Sequence, residues 1–287
     1  MRATAVFALF AALLSPVVAV PVTNQVLTPK GYRPSAGLKE IPEGGRIVHV
    51  GDNLHVLDAK GNVVHVASKS SPVTPTTDAV APEETGWVAY ASWLNTDAAI
   101  GSFQTTWIVP PNPTTNHGQT LFLFNSIEPA TFDAIMQPVL QYGLSAAGGS
   151  STGWSVASWY LYGSNTFFTT PVAVSVGQSL HGEVQLVGTG ASNTYNYNSA
   201  FTNIGGTSLT VVGGEELQWA TITLETYSVT ERNDYPAGST VFSGINLELS
   251  NGVFPSFNWA VVSDQADGIT TTVNAGGSTS GVITITY

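Results

Sequence analysis

From residue 86 onward the chain alternates apolar and polar residues in short runs, broken by Gly, Pro, Asn and Ser. The runs fall at 87–94, 100–109, 120–126, 135–142, 154–162, 172–176, 180–187, 191–197, 209–212, 217–229, 241–249 and 282–287. Residues 154–162 are typical: Trp154, Val156, Ser158, Tyr160 and Tyr162 share one face of an extended strand. Helical periodicity goes no further than a short segment near Ala130–Met136. Many short strands at near-regular spacing predict an all-β fold, a two-sheet antiparallel β-sandwich of concanavalin-like jelly-roll type. Several strands carry aromatic rings on both faces, more than one core needs, so one curved sheet is expected to line a groove with them.

The first 85 residues follow other patterns. Met1-Arg2, the apolar run from Ala5 to Leu14 and the small residues ending at Ala19 read as a secretory signal over residues 1–19. Residues 20–44 are interrupted by Pro and Gly and predict irregular chain. Residues 46–66 predict short hairpins turning at Gly51-Asp52-Asn53 and at Ala59-Lys60-Gly61-Asn62. Residues 70–85 are Pro/Thr/Ser-rich with no core-forming pattern, which makes them a linker. The expected organisation is signal 1–19, pro-like segment 20–69, linker 70–85 and sandwich 86–287, in a secreted, extracellular protein.

Charge divides the chain at the same place. Seven of the eight Lys and Arg lie at or before Lys69, and beyond it Arg232 alone faces fifteen Asp and Glu. Residues 20–69 thus carry a formal +2 and residues 70–287 carry −14. The natural partner of the basic leader is the acidic domain to which it is fused. Nucleic acid and anionic membrane are poor partners for that domain. A surface poor in bases accumulates little positive charge when its carboxylates neutralise, so the composition suits an acidic medium and equally an acidic secreted binding protein. Cysteine is absent, which excludes thiol catalysis, thiolate metal sites and disulfides.

Gly-rich phosphate loops, His-Glu-x-x-His and Gly-x-Ser-x-Gly are missing as well. His117 and His181 sit beside Gly and read as exposed turn histidines. His49, His55 and His65 alternate with Val and Leu, which suits half-exposed hairpins better than a metal site. No metal or cofactor is expected, and carboxylate and amide chemistry remains.

Thr105-Thr-Trp-Ile-Val-Pro-Pro, Val139-Leu-Gln-Tyr-Gly, Ala157-Ser-Trp-Tyr-Leu-Tyr and Val174-Ser-Val-Gly-Gln-Ser-Leu follow one another in order. In these segments the chain resembles the fungal glutamic peptidases, the eqolisins, over most of residues 86–230. The resemblance implies a grooved β-sandwich, a basic propeptide, and a Gln/Glu pair hydrolysing peptide bonds in acid, with Gln141 as the glutamine. A carboxylate would activate water while a neutral amide opposite it stabilises the oxyanion. The departure lies in Leu217-Gln-Trp-Ala-Thr-Ile, the match to the family's second motif, where both family glutamates fall on non-acids, Gln218 and Ile222; elsewhere, the tryptophan the family carries beside the catalytic pair falls on Phe124. Glu225 stands at an even offset from Trp219, on the face opposite Gln218 and Ile222, and is the first candidate for the base. Glu128, in Asn125-Ser-Ile-Glu-Pro, occupies a turn where the family carries an acid, and is the second. The expected groove is lined by Trp107, Phe124, Trp159, Tyr160 and Trp219. Two functions follow: a divergent acid-acting glutamic endopeptidase, or an inactive relative that binds peptide or glycan in an aromatic groove.

Overall fold

The computed structural model describes residues 24–69 and 86–287. The expected signal at 1–19 and the linker at 70–85 lie outside the described residues. Residues 24–69 form β1 (Gln25–Thr28), β2 (Gly31–Pro34), β3 (Leu38–Ile41), β4 (Arg46–Val50), β5 (Asn53–Leu57) and β6 (Val63–Ser68). The remainder begins with β7 (Trp87–Leu94), β8 (Ile100–Ile108), β9 (Thr120–Glu128), β10 (Ala134–Ser145), β11 (Gly148–Tyr162), β12 (Asn165–Thr169) and β13 (Val172–Val174). It continues through β14 (Ser179–Thr189), β15 (Tyr195–Phe201), β16 (Leu209–Gly214), β17 (Trp219–Tyr227), β18 (Ser239–Leu249), β19 (Ala260–Val262), β20 (Thr270–Ala275) and β21 (Gly281–Thr286).

The strands build an all-β sandwich. One sheet runs β19-β7-β17-β9-β10-β11-β12-β3, with β13 also on β11, and the other runs β20-β21-β18-β8-β14-β15-β16-β4-β5-β6. Pairing is antiparallel except where the leader joins: β3 lies parallel to β12, and β4 parallel to β16. Alternation fixes which side chains enter the space between the sheets. Leu121, Leu123 and Ile127 of β9, Met136 and Leu140 of β10, and Ile222 and Leu224 of β17 point inward to meet Phe103, Trp107, Leu180, Val184 and Phe242 of the facing sheet. Ile47, Leu54 and Val56 of the leader are wholly buried in this same core.

The opposite face of the first sheet carries a second apolar cluster. Phe122 and Phe124 of β9, Ile135 and Val139 of β10, Trp159 and Leu161 of β11, and Trp219 of β17 form it with Trp87, Tyr90 and Phe168. Trp87 stacks on Trp219 at 5.8 Å between centroids and meets Phe124 edge-on at 5.6 Å. Here are the surplus rings anticipated from the sequence. The β1–β2 hairpin packs over this face: Leu27 belongs to the cluster, Ala146 N donates to Leu27 O at 2.7 Å, and Tyr32 meets Tyr227 edge-on.

Several local expectations give way. Residues 24–44 hold three strands rather than irregular chain: β1 and β2 pair as a hairpin across Pro29-Lys30, and β3 adds to the distant edge strand β12. The segment near Ala130–Met136 is a turn closed by Phe132 N on Pro129 O, and it runs into β10 without helix. The strand expected at 191–197 starts only at Tyr195, and β12, β19 and β20 escaped notice. His181 lies within β14, paired with Thr106, and not in a turn.

Candidate active site

Three central strands place the polar residues of the outer face. Glu128 ends β9, Gln137 and Gln141 lie on β10, and Glu225 lies two residues from the end of β17. All four side chains are almost completely buried, with Glu128, Gln137 and Glu225 at 0% exposure. Both carboxylates are on the second-cluster face: Trp219 pairs with Glu128 across the β17–β9 ladder, and Glu225 pairs with Phe122. A shift in register between Leu224 and Glu225 marks a bulge on the β7 side of the strand.

The tip of the β1–β2 hairpin fills the space above these groups. Its two-residue turn is Pro29-Lys30, closed by the pair Thr28–Gly31. Lys30 N donates to Glu225 Oε1 at 2.8 Å, and Gln137 Nε2 approaches Pro29 O at 3.5 Å. The two ends of the Pro29–Lys30 peptide bond therefore face an amide on the carbonyl side and a carboxylate on the nitrogen side. Tyr227 OH donates to the same Glu225 oxygen at 2.5 Å. Lys30 Nζ reaches Glu128 Oε2 at 2.8 Å and the carbonyl of Phe132 at 3.1 Å. Among the described residues, Gln137 Oε1 has no hydrogen-bond partner although it is buried.

Lys30 adopts φ +98°. Proline first and a positive φ second is the pattern of a type II turn, whose second position normally takes Gly or Asn. A lysine there carries strain on the order of 1 kcal/mol or more, which contacts of its side chain must offset.

Of the sequence-derived candidates, Glu225 and Glu128 come together around Lys30. Gln141 shares their face and lies in the same row as Glu225, on the other side of Phe122. Its amide is already engaged: Nε2 donates to Gly143 O and Gly148 O, each at 2.8 Å, and Oε1 accepts from Ser145 Oγ at 2.8 Å. Gly143 and Gly149 have φ +87° and +106°, and a Cβ on Gly149 would collide with the Gln141 amide. The bulge after Tyr142 is thus built around Gln141. Gln137 was missed. It stands four residues before Gln141, hence on the same strand face, and a polar residue between Ile135 and Val139 on that face was the available signal. Pro138 beside it removes a ladder donor, and no Cα pair with β9 joins the strands between Met136–Ile127 and Val139–Phe124.

Phe124, Trp159 and Trp219 belong to the outer cluster. Trp107 and Tyr160 do not: both are in the core between the sheets. Tyr160 follows Trp159 directly, and neighbours on a strand point to opposite faces. Trp107 belongs to β8 of the other sheet and packs on Phe201 and Phe242.

Among the described residues, the group spaced to hold a metal is His117, Glu231 and Asp234, whose ligand atoms lie within 4.8 Å. Its atoms are occupied by the loop itself. Asp234 is fully buried and accepts from Thr115 Oγ1, from Thr230 N and Oγ1, and from His117 Nδ1 at 2.8 Å. Burial pushes its carboxyl up, but the bonds from Thr230, Thr115 and His117 outweigh that and hold it well below the usual range. Glu231 and Asp234 also form a reciprocal cap on the turn Arg232–Asp234. The leader histidines behave differently again: His49 is half-buried with Nε2 3.0 Å from Tyr160 OH, and burial followed by the nearby Lys69 lowers it to about 4.

No family model matches this sequence, and no curated protein matches it. Among solved structures, it is similar to Scytalido-glutamic peptidase with a peptide-based transition-state analogue: 14% identity, 71% of this chain, 98% of that chain, TM-score 0.46. A second is SCP-B, a member of the eqolisin family of peptidases in a complex with the tripeptide Ala-Ile-His, at 13% identity over the same shares, TM-score 0.46.

Proposed function

We propose that the protein is a secreted, acid-acting glutamic endopeptidase-like hydrolase in which Gln137 and Glu225 form the working pair, and that its own leader occupies the site. The observation that carries this reading is the Pro29–Lys30 bond, flanked by Gln137 Nε2 at its carbonyl oxygen and by Glu225 at its nitrogen. A substrate bond in that position meets the groups hydrolysis needs. Glu225 takes a proton from water, and the water oxygen adds to the carbonyl carbon. The Gln137 amide donates to the oxyanion, and being neutral it does not repel the carboxylate. Collapse breaks the C–N bond as the proton passes from Glu225 to the departing amine, giving a carboxylic acid and an amine.

The hairpin supports this reading as an occupant that resembles substrate without being one. Pro29 and the positive φ of Lys30 hold the bond in a tight turn rather than extended, and strand pairing retains both ends. The leader's basic charge and the acidic domain favour this docking at neutral pH, and acid weakens it.

Acid incubation of the full chain with a denatured protein at pH 3–4, read by mass spectrometry, tests the function. New cleavage products that disappear with a folded Glu225→Gln variant support it. Absence of products after the leader has been displaced by acid would leave the aromatic binding protein as the better reading, which the replacement of both motif glutamates by Gln218 and Ile222 favours.

A further inference from the structure

Lys30 marks more than an occluded site. Its ammonium reaches a subsite with a fully buried carboxylate, Glu128, as its floor and the Phe132 carbonyl as a second acceptor. Aromatic rings of the outer cluster stand beside these acceptors. Trp219 stands opposite Glu128 in the strand register, and Phe132 meets Trp219 edge-on at 5.0 Å between centroids. Only 9% of the Lys30 side chain is exposed. A buried carboxylate beside aromatic rings suits an ammonium on a four-carbon stem, which buries its methylenes and presents a single charged point.

Two strained residues meet here. Lys30 has φ +98° and Phe132 has φ +55°, both in the left-handed region where a bulky side chain is an outlier. Glycine would satisfy the turn at residue 30 without strain. Retention of lysine there is explained by what its side chain touches, and the turn at Phe132 is what aims the second acceptor at Nζ.

We infer that this slot is a specificity subsite for a lysine side chain of the substrate polypeptide, with Glu128 as its determinant. The inference rests on the peptidase reading for its position. Lys30 supplies the nitrogen that faces Glu225, so the preferred lysine follows the bond that is cut, on the departing-amine side. Lys30 is then the leader's imitation of that residue.

The subsite can be read without turnover. Lys30→Gly in the full chain keeps a residue suited to the turn and removes a group equal to n-butylammonium, which serves as the probe at pH 6–7. Expected is saturable binding to Lys30→Gly, seen by NMR and as a raised melting temperature. Wild type and Lys30→Met, whose slots are filled, should show none. Glu128→Gln on the Lys30→Gly background, or n-butanol in place of the amine, should weaken binding at least tenfold. Should Lys30→Gly not fold, Lys30→Ala opens the same slot. Equal binding to wild type, or binding indifferent to Glu128→Gln, overturns the subsite. The second arm compares acid cleavage of peptides with lysine, norleucine or glutamate after the scissile bond, where lysine should be favoured at least tenfold in kcat/KM. Amine binding without hydrolysis of any peptide would overturn the peptidase reading and uphold the subsite. Hydrolysis without lysine preference or amine binding would do the reverse.

Discussion

Acid should loosen the leader through His49, and the size of the effect follows from its surroundings. The imidazole comes from β4 and packs on β11: Nε2 lies 3.0 Å from Tyr160 OH, and the ring meets Tyr162 edge-on at 5.1 Å. The charge that acts on it is Lys69, which repels a protonated ring, while the neighbouring Tyr162 OH is engaged by Glu215 at 3.2 Å. Burial first and Lys69 second lower His49 from 6.5 to about 4. The folded protein thus binds this proton less readily than the unfolded chain. Stability from His49 is complete above pH 6.5, falls as pH drops from 6.5 to 4, and is constant below that. At ~1.4 kcal/mol per pH unit, the interval amounts to about 3 kcal/mol, somewhat less with screening at the exposed edge of the ring. His49→Gln keeps a neutral donor for Tyr160 and removes the titration. Urea denaturation at pH 7 and pH 4 should show the variant losing about 2–3 kcal/mol less than wild type across that range. Amide exchange in Ile47–Val50 should reveal whether β4 opens ahead of the sandwich, by up to ~100-fold in wild type. Identical stability profiles for wild type and variant between pH 4 and 6.5 would exclude His49 as the group that couples acid to stability.

Gln141→Ala removes the side chain that braces Gly143, Ser145 and Gly148 and should cost about 1–3 kcal/mol in urea denaturation. Asp234 contributes stability above the ordinary carboxyl pKa, and that contribution is lost only as pH falls through its depressed folded value. Asp234→Asn should therefore destabilise the protein by about 2–4 kcal/mol at pH 5, with most of the gap still present at pH 3; a gap that closes by pH 4 would contradict the assignment.

The sandwich was legible because alternation in Trp154–Tyr162 or Leu217–Val229 needs only neighbouring residues to be read. The roles of side chains one residue apart were harder. Trp159 and Tyr160 were both assigned to the groove, although a strand sends them to opposite sides. Parity with Trp219 placed Glu225 on the face away from Gln218 and Ile222, and the structure puts it there, with its row to Phe122 intact and the neighbouring bulge on the β7 ladder. Gln137 was hidden because the group its amide approaches, Pro29 O, lies more than a hundred residues away in sequence. The same holds for β1 to β3: their Pro/Gly-interrupted sequence is weakly patterned, and the sheet edge and aromatic face that order them are built from β10, β11 and β12.

Hydrolysis of one lysine-containing peptide at pH 4, measured as kcat/KM for folded Gln137→Ala, Gln141→Ala and Glu225→Gln beside wild type, bears most directly on the site. Glu225→Gln and Gln137→Ala should each lose about 10²–10⁴-fold, while Gln141→Ala, where it folds, retains activity within a few-fold. Collapse of Gln141→Ala together with an active Gln137→Ala would contradict the pairing of Gln137 with Glu225.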